Sequence, residues 1–120
     1  MHMQQIQQAI EKFIKGGDNS DTAILEEILH KDYQNIQDGF FDQPGIFVIP
    51  KNEYIRLVRE KIFGGKPRKI TYHFLEHNNN IAYAKVSLES SVLRFSSLIT
   101  CVQENGKWQV MTNMPSIESK

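Results

Sequence analysis

The chain has 120 residues, 40% of them apolar and 23% charged, and its 14 Lys and Arg balance its 14 Asp and Glu. That length supports one hydrophobic core but not two, so a single domain over residues 1–120 is expected. Zero net charge argues against the basic footprint of a nucleic-acid binder, and the lone Cys101 excludes an internal disulfide and fits a reducing, cytoplasmic setting.

The opening MHMQQIQQAIEK is amphipathic and lacks the apolar stretch of a secretory signal, and no apolar run approaches the about 20 residues of a membrane span. Ile6, Ala9, Ile10, Phe13 and Ile14 recur at helical spacing, predicting a helix over Met3–Lys15 that Gly16-Gly17 ends. Asp18, Asn19, Ser20 and Asp21 offer cap oxygens to a second helix, which turns Ile24, Leu25, Ile28 and Leu29 inward. A short strand is expected over Tyr33–Ile36, a turn at Asp38-Gly39, and another strand over Ile46–Ile49. A third helix comes next, capped by Asn52 and stopped by Gly64-Gly65, with Tyr54, Leu57, Val58 and Ile62 facing the core. Seven acids and one Lys lie between Asp18 and Asp42, and seven bases and two acids between Lys51 and Lys69. Such blocks suit a groove or a partner surface, and more commonly mark two solvated faces.

The second half alternates as strands do. Ile70, Tyr72 and Phe74 form one strand and Ala82, Ala84, Val86 and Leu88 the next, and a three-residue turn at Asn78–Asn80 sets Tyr72, Phe74, Ala82, Ala84, Val86 and Leu88 on one inner face. A long strand over Val92–Gln103 then meets the hairpin signal Asn105-Gly106, whose two residues tolerate the positive φ of a tight turn. A two-residue loop there sets Trp108 opposite Gln103 and Val110 opposite Cys101. Alternation then gives an inner face of Phe95, Ser97, Ile99, Cys101, Trp108, Val110, Thr112 and Met114. Arg94, Ser96, Leu98, Thr100, Val102, Gln109, Met111 and Asn113 fall outside. Helices grouped ahead of an antiparallel meander indicate an α+β fold.

The helix ending LEEILHKD, the turn QDGF, the helix opening PKNEYIRLV and the hairpin ENGKWQV, in that order, resemble the nuclear-transport-factor-two-like superfamily. Within it they are most similar to the small bacterial proteins labelled "putative lumazine-binding". The resemblance implies a cone: a curved antiparallel sheet with three helices from the N-terminal half on its concave face, and a convex face that often packs on a second copy. Relatives include isomerases, dehydratases, polyketide cyclases and proteins without known catalysis, so the fold does not select a function.

The inner face offers mostly hydroxyl chemistry. Tyr72, Ser97 and Thr112, with Tyr54 from the third helix and the aromatic Trp108, are the candidate ligand-binding residues for a small aromatic or apolar molecule. Many relatives carry an acid where this chain has Ser97. A catalytic base would have to come from Asp38, Asp32, His30 or Glu76. In ketosteroid-isomerase-like relatives an Asp abstracts the proton, and the comparable position here is Gln37 or Asp38. Asp38 precedes glycine, where its side chain more often serves the turn. His30 suits the C-terminal end of a helix. His73 and His77 stand four apart on a strand, roughly 13 Å, too far to share one metal ion, so neither a metal nor a cofactor is expected. Cys101, mid-strand and apolar in setting, is an inert thiol.

Three functions remain open: a non-catalytic small-molecule pocket; a cofactor-free isomerase, dehydratase or cyclase; and a ligand-free homodimeric module using Leu98, Val102 and Met111 on the convex face.

Overall fold

The apolar spacing of the first segment does make a helix, but a longer one than its glycines predict. In the computed structural model, which describes residues 2–120 and so leaves only Met1 of the expected domain outside, α1 spans His2–Asp18. Gly16 and Gly17 lie inside its last turn and are buried. They are there for close approach. A side chain on Gly16 would stand 2.8 Å from Leu25 Cδ2 of α2 (Thr22–Ile28). The Gly17 carbonyl accepts the Gly65 N–H at 3.0 Å, and Gly64, at φ +73°, packs so closely that a methyl group would overlap that carbonyl.

Asp21 caps α2, accepting the Ile24 N–H at 3.2 Å. The third helix, α3, spans Lys51–Arg59 and starts directly after Pro50, with no side-chain cap. Asn52 is therefore a first-turn residue, and α3 ends before Gly64-Gly65. Lys51 instead donates to the carbonyls of Glu26 and Leu29 at 2.8 and 2.9 Å, closing the end of α2. Ile62 is exposed, and Ile55 and Phe63 take the inward positions expected of it.

Six strands take the order β2-β1-β6-β5-β4-β3 in one sheet. They are β1 (Leu29–Phe40), β2 (Gln43–Pro50), β3 (Lys69–Asn78), β4 (Ile81–Glu89), β5 (Leu93–Glu104) and β6 (Lys107–Ser119). The expected short strand at Tyr33–Ile36 is thus the middle of a twelve-residue one. Only β1 and β6 run parallel; every other neighbouring pair is antiparallel. The helices cover the concave face, so the molecule is the expected α+β cone.

Two bulges correct the expected faces. In β6, Val110 pairs with Cys101 and Thr112 with Thr100, so Met111 is an extra residue. Beyond it the alternation inverts: Thr112 and Met114 face outward and Asn113 faces inward, buried. In β3, Tyr72 pairs with Val86 but Phe74 with Lys85, so His73 is the extra residue. Phe74 is consequently outside and Leu75 inside. The β3–β4 turn is the two-residue Asn79-Asn80, and the bulge restores Ile70 and Tyr72 to the inner face. Bulges also deepen bending, which a sheet wrapped round a helix layer needs.

Candidate functional site

The cone has two ends. At the narrow end Trp108 is buried, its indole Nε1 donating to His2 Nδ1 at 3.4 Å. At the wide end Tyr54 packs against Phe13 and Tyr33, with ring centroids 5.9 and 5.3 Å away. His2 and Phe13 are eleven residues apart on α1, roughly 16 Å of helix, so the expected ligand residues Trp108 and Tyr54 do not converge. Thr112 lies on the convex face, its hydroxyl hydrogen-bonded to that of Thr100 at 2.6 Å. Tyr72 donates to Glu11 of α1 at 3.4 Å. Ser97 is buried on the inner face. Of the five, only Tyr72 and Ser97 share a register row, both level with Val86 on the inner face.

What gathers at the wide end instead is a chain of amides. Asn113 Nδ2 donates to Asn35 Oδ1 at 3.0 Å, Asn35 Nδ2 to Gln37 Oε1 at 2.7 Å, and Gln37 Nε2 to the Gly39 carbonyl at 2.9 Å. All three side chains are buried. The chain runs one way and leaves its first acceptor, Asn113 Oδ1, and the buried Tyr33 hydroxyl beside it without an aligned hydrogen bond in the protein. Burial, then the charge of Tyr54, raises the pKa of Tyr33 well above the usual tyrosine value, and hydrogen bonding with the Asn113 side chain acts in the opposite sense. Burial likewise pushes Tyr54 up to about 12, ahead of the opposed effects of Arg68 and Asp18. Both phenols are protonated at neutral pH.

An unbroken run of aromatic contacts leads from this floor to the surface: Tyr33 to Tyr54, Tyr54 to Phe63 at 5.7 Å, Phe63 to Phe40 at 5.9 Å, and Phe40 to Phe41 at 4.8 Å. Phe41 is 69% exposed. Side chains fill the cone between Phe13, Tyr33 and Tyr54. Two depressions lie beside α1: one of about 180 Å³ between α1, the end of α2 and the β5–β6 hairpin, which Trp108 lines with Gln8, Lys12 and Glu27, and one of about 440 Å³ among Gln8, Glu11, Lys12, Lys15 and Ile24.

The expected bases do not enter the cone. Gln37, not Asp38, is the inward residue of β1; Asp38 is exposed and pairs with Ile46. Asp32 is exposed. His30 is buried but committed: Nδ1 accepts the Asp32 N–H at 3.0 Å, and Nε2 meets a Glu104 carboxylate oxygen. Glu76 is exposed on β3 beside Tyr83. Burial pushes the Cys101 thiol up to about 12. His73 bonds Ser87 at 2.6 Å, while His77 stacks near His2. Among the described residues no three His, Cys, Asp or Glu side chains are grouped as a metal site, and no helix is long and apolar enough to cross a membrane.

A six-stranded sheet curved round three helices is the NTF2-like fold. The sequence matches, over residues 1–114, the model of the family described as "Putative lumazine-binding", and the chain belongs to that family. NTF2-like proteins of unknown function share the fold. One from Silicibacter pomeroyi DSS-3 is 14% identical, covering 98% of this chain and 96% of its own with a TM-score of 0.83. One from Shewanella baltica OS155 is 16% identical, covering 99% and 95% with a TM-score of 0.84. One from Methylobacillus flagellatus KT is 14% identical, covering 98% and 92% with a TM-score of 0.80. No curated protein matches the sequence.

The amide chain was hidden in the sequence because Asn35 and Gln37 sit on a strand expected to be short, and Asn113 faces inward only through the bulge at Met111. An Asn-x-Gln pair between apolar residues was the available signal.

Proposed function

We propose that the wide end of the cone binds a small planar molecule without transforming it. The Tyr33 hydroxyl and Asn113 Oδ1, side by side and neither with an aligned hydrogen bond in the protein, carry this reading. A buried polar group left without a well-made hydrogen bond costs up to about 1–3 kcal/mol, and a ligand edge offering one donor and one acceptor would complete both. The N–H and C=O of a lactam edge are such a pair. Lumazine, named in the family's description, is a pteridinedione with such an edge. The aromatic rings of Tyr54, Phe63 and Phe40 would stack on its faces, and Phe63 and Phe40, only partly buried, would shift to admit it. No inward base accompanies the two protonated phenols, which favours binding over the isomerase, dehydratase or cyclase chemistry of relatives. The free Cys101 thiol suits a cytoplasmic setting.

A second reading, compatible with the first, is a homodimer through the convex face. Strand register sets one outward residue per strand in a row: Val48, Ile36, Met114, Leu98, Lys85 and Phe74. Val48, Met114, Leu98 and Phe74 are each more than a third exposed. The row includes Leu98 of the expected interface, while Val102 and Met111 flank it, and Met114 takes the central place. Polar Thr100, Thr112, Ser87 and Ser96 border it, as a polar rim borders an interface core.

Native mass spectrometry of the purified protein, compared with its denatured mass, tests both. Retained mass lost on denaturation, or retention of added lumazine, supports the pocket. No retention, together with no calorimetric heat at millimolar lumazine, would count against it. A twofold mass that Leu98→Asp halves supports the dimer; a monomer at tens of micromolar contradicts it.

A further inference from the structure

Lys85 is the one charge in the apolar row of the convex face. Register sets it between Leu98 of β5 and Phe74 of β3, in the row that Met114, Ile36 and Val48 continue. It is exposed, and among the described residues it joins no ion pair within its own chain. Asp38, exposed on the same face two residues beyond Ile36, joins none either. Covering an ammonium beside Leu98 and Phe74 without a counter-charge is strongly unfavourable. Whatever covers this row must therefore bring an acid to Lys85.

A second copy does so in one orientation. Two sheets packed face to face with aligned strands are related by a two-fold axis lying between them, either across the strands or along them. An axis across the strands returns each strand to itself and sets Lys85 against the partner's Lys85. An axis along the strands, midway between β5 and β6, exchanges β5 with β6, β4 with β1 and β3 with β2. Leu98 then meets the partner's Met114, and Lys85 meets the partner's Ile36. The partner's Asp38 lies two residues farther along that strand, roughly 7 Å, within the span of the flexible lysine stem. Ser87 lies two residues from Lys85 on the same, wide-end side and is hydrogen-bonded to His73 at 2.6 Å, so it gives that carboxylate a second polar neighbour. The same axis sets Arg94 over the partner's Glu118. The two copies being equivalent, each pair forms twice. Contact centred on Met114 and Leu98 also suits a convex surface, whose curvature lifts the edge strands β2 and β3 away.

Resting on the convex-face dimer reading, we propose that the chain recognises a second copy of itself through two Asp38–Lys85 pairs, related by a two-fold axis running along β5 and β6. The charge pairs fix the orientation of the copies, and Met114 and Leu98 supply the apolar contact.

Analytical ultracentrifugation of the full chain and of variants with intact melting transitions tests this. Lys85→Glu and Asp38→Lys each set like charges together at both pairs, and each should raise the dimer dissociation constant about 30-fold or more. An equimolar mixture of these two variants, one of them isotope-labelled, should recover a heterodimer in native mass spectrometry, because each acid again faces a base. Lys85→Glu/Asp38→Lys in a single chain should recover the homodimer to within about 3-fold of the wild type. A wild-type dimer whose single variants stay weak both in the mixture and in the double variant would overturn the axis and leave the convex-face dimer standing. Single variants that dimerise as tightly as the wild type would do the same. A wild type that stays monomeric at tens of micromolar would overturn the inference together with the dimer reading beneath it.

Discussion

The two ends of the cone are built from similar residues to different ends. At the narrow end Trp108, Val110, Cys101 and Ala82 are buried, and the one indole N–H has a partner. At the wide end the aromatic run continues out to an exposed Phe41, and two buried polar atoms are left without partners. A fold selected for stability alone would place apolar groups at positions 33 and 113, since a shape-matched apolar replacement of an unsatisfied group is neutral or favourable. The difference teaches that the narrow end is ordinary packed core, whereas the wide end carries buried polar groups that the proposed small-molecule reading would use.

The comparison breaks most readily through large-to-small changes. Trp108→Ala should cost about 3–5 kcal/mol, as buried aromatic truncations do, while Phe41→Ala should stay within about 0.5 kcal/mol. Urea denaturation of the two variants checks this, and equal losses would erase the distinction between the ends. Next in size is a glycine pair. Gly64→Ala should cost about 3 kcal/mol or more, because it combines positive φ with a clash against the Gly17 carbonyl; Gly106→Ala, also at positive φ but with open space around it, should cost about 1 kcal/mol. The corresponding shifts in melting temperature would show whether the crossing of α1 and the loop after α3 braces the wide end.

A smaller and shared effect is alkaline. Burial raises Cys101 from 9.0 and Tyr54 from 10.0, each to about 12. A raised folded-state value means that stability is complete below the unfolded value and is lost as pH climbs toward the folded one. The melting temperature should therefore hold to about pH 9 and fall steadily toward pH 12. Cys101 in the folded protein should resist iodoacetamide at pH 8.5, and rapid alkylation there would contradict its placement.

Much of the fold was legible in the residues. The period of Ile6 to Ile14 gave α1 its buried face, Asp21 its role as cap, and Asn105-Gly106 fixed the β5–β6 register as far as Cys101 opposite Val110. The illegible part came from tertiary geometry. Gly16 and Gly17 read as a stop signal because their reason, contact with Leu25 and Gly64-Gly65, lies far along the chain. The bulges at Met111 and His73 have no local signature, and each inverts the alternation of its strand; one moved Thr112 out of the site and Asn113 into it. Tyr54 and Ser97 were expected to face inward and do, because their helix and strand are regular, whereas Tyr33, Asn35 and Gln37 were passed over on a strand whose length depends on pairing with β2 and β6. Asp38 looked like the base only until alternation along that strand gave the inward place to Gln37.

The most direct test of the claim that the wide end carries unmet polar groups is the urea-denaturation free energy of Tyr33→Phe against the wild type. Removing a hydroxyl that has no partner should leave stability unchanged or raise it slightly. A loss of about 1 kcal/mol or more would show that the hydroxyl is satisfied within the protein, and that the site inferred from it and from Asn113 is ordinary core.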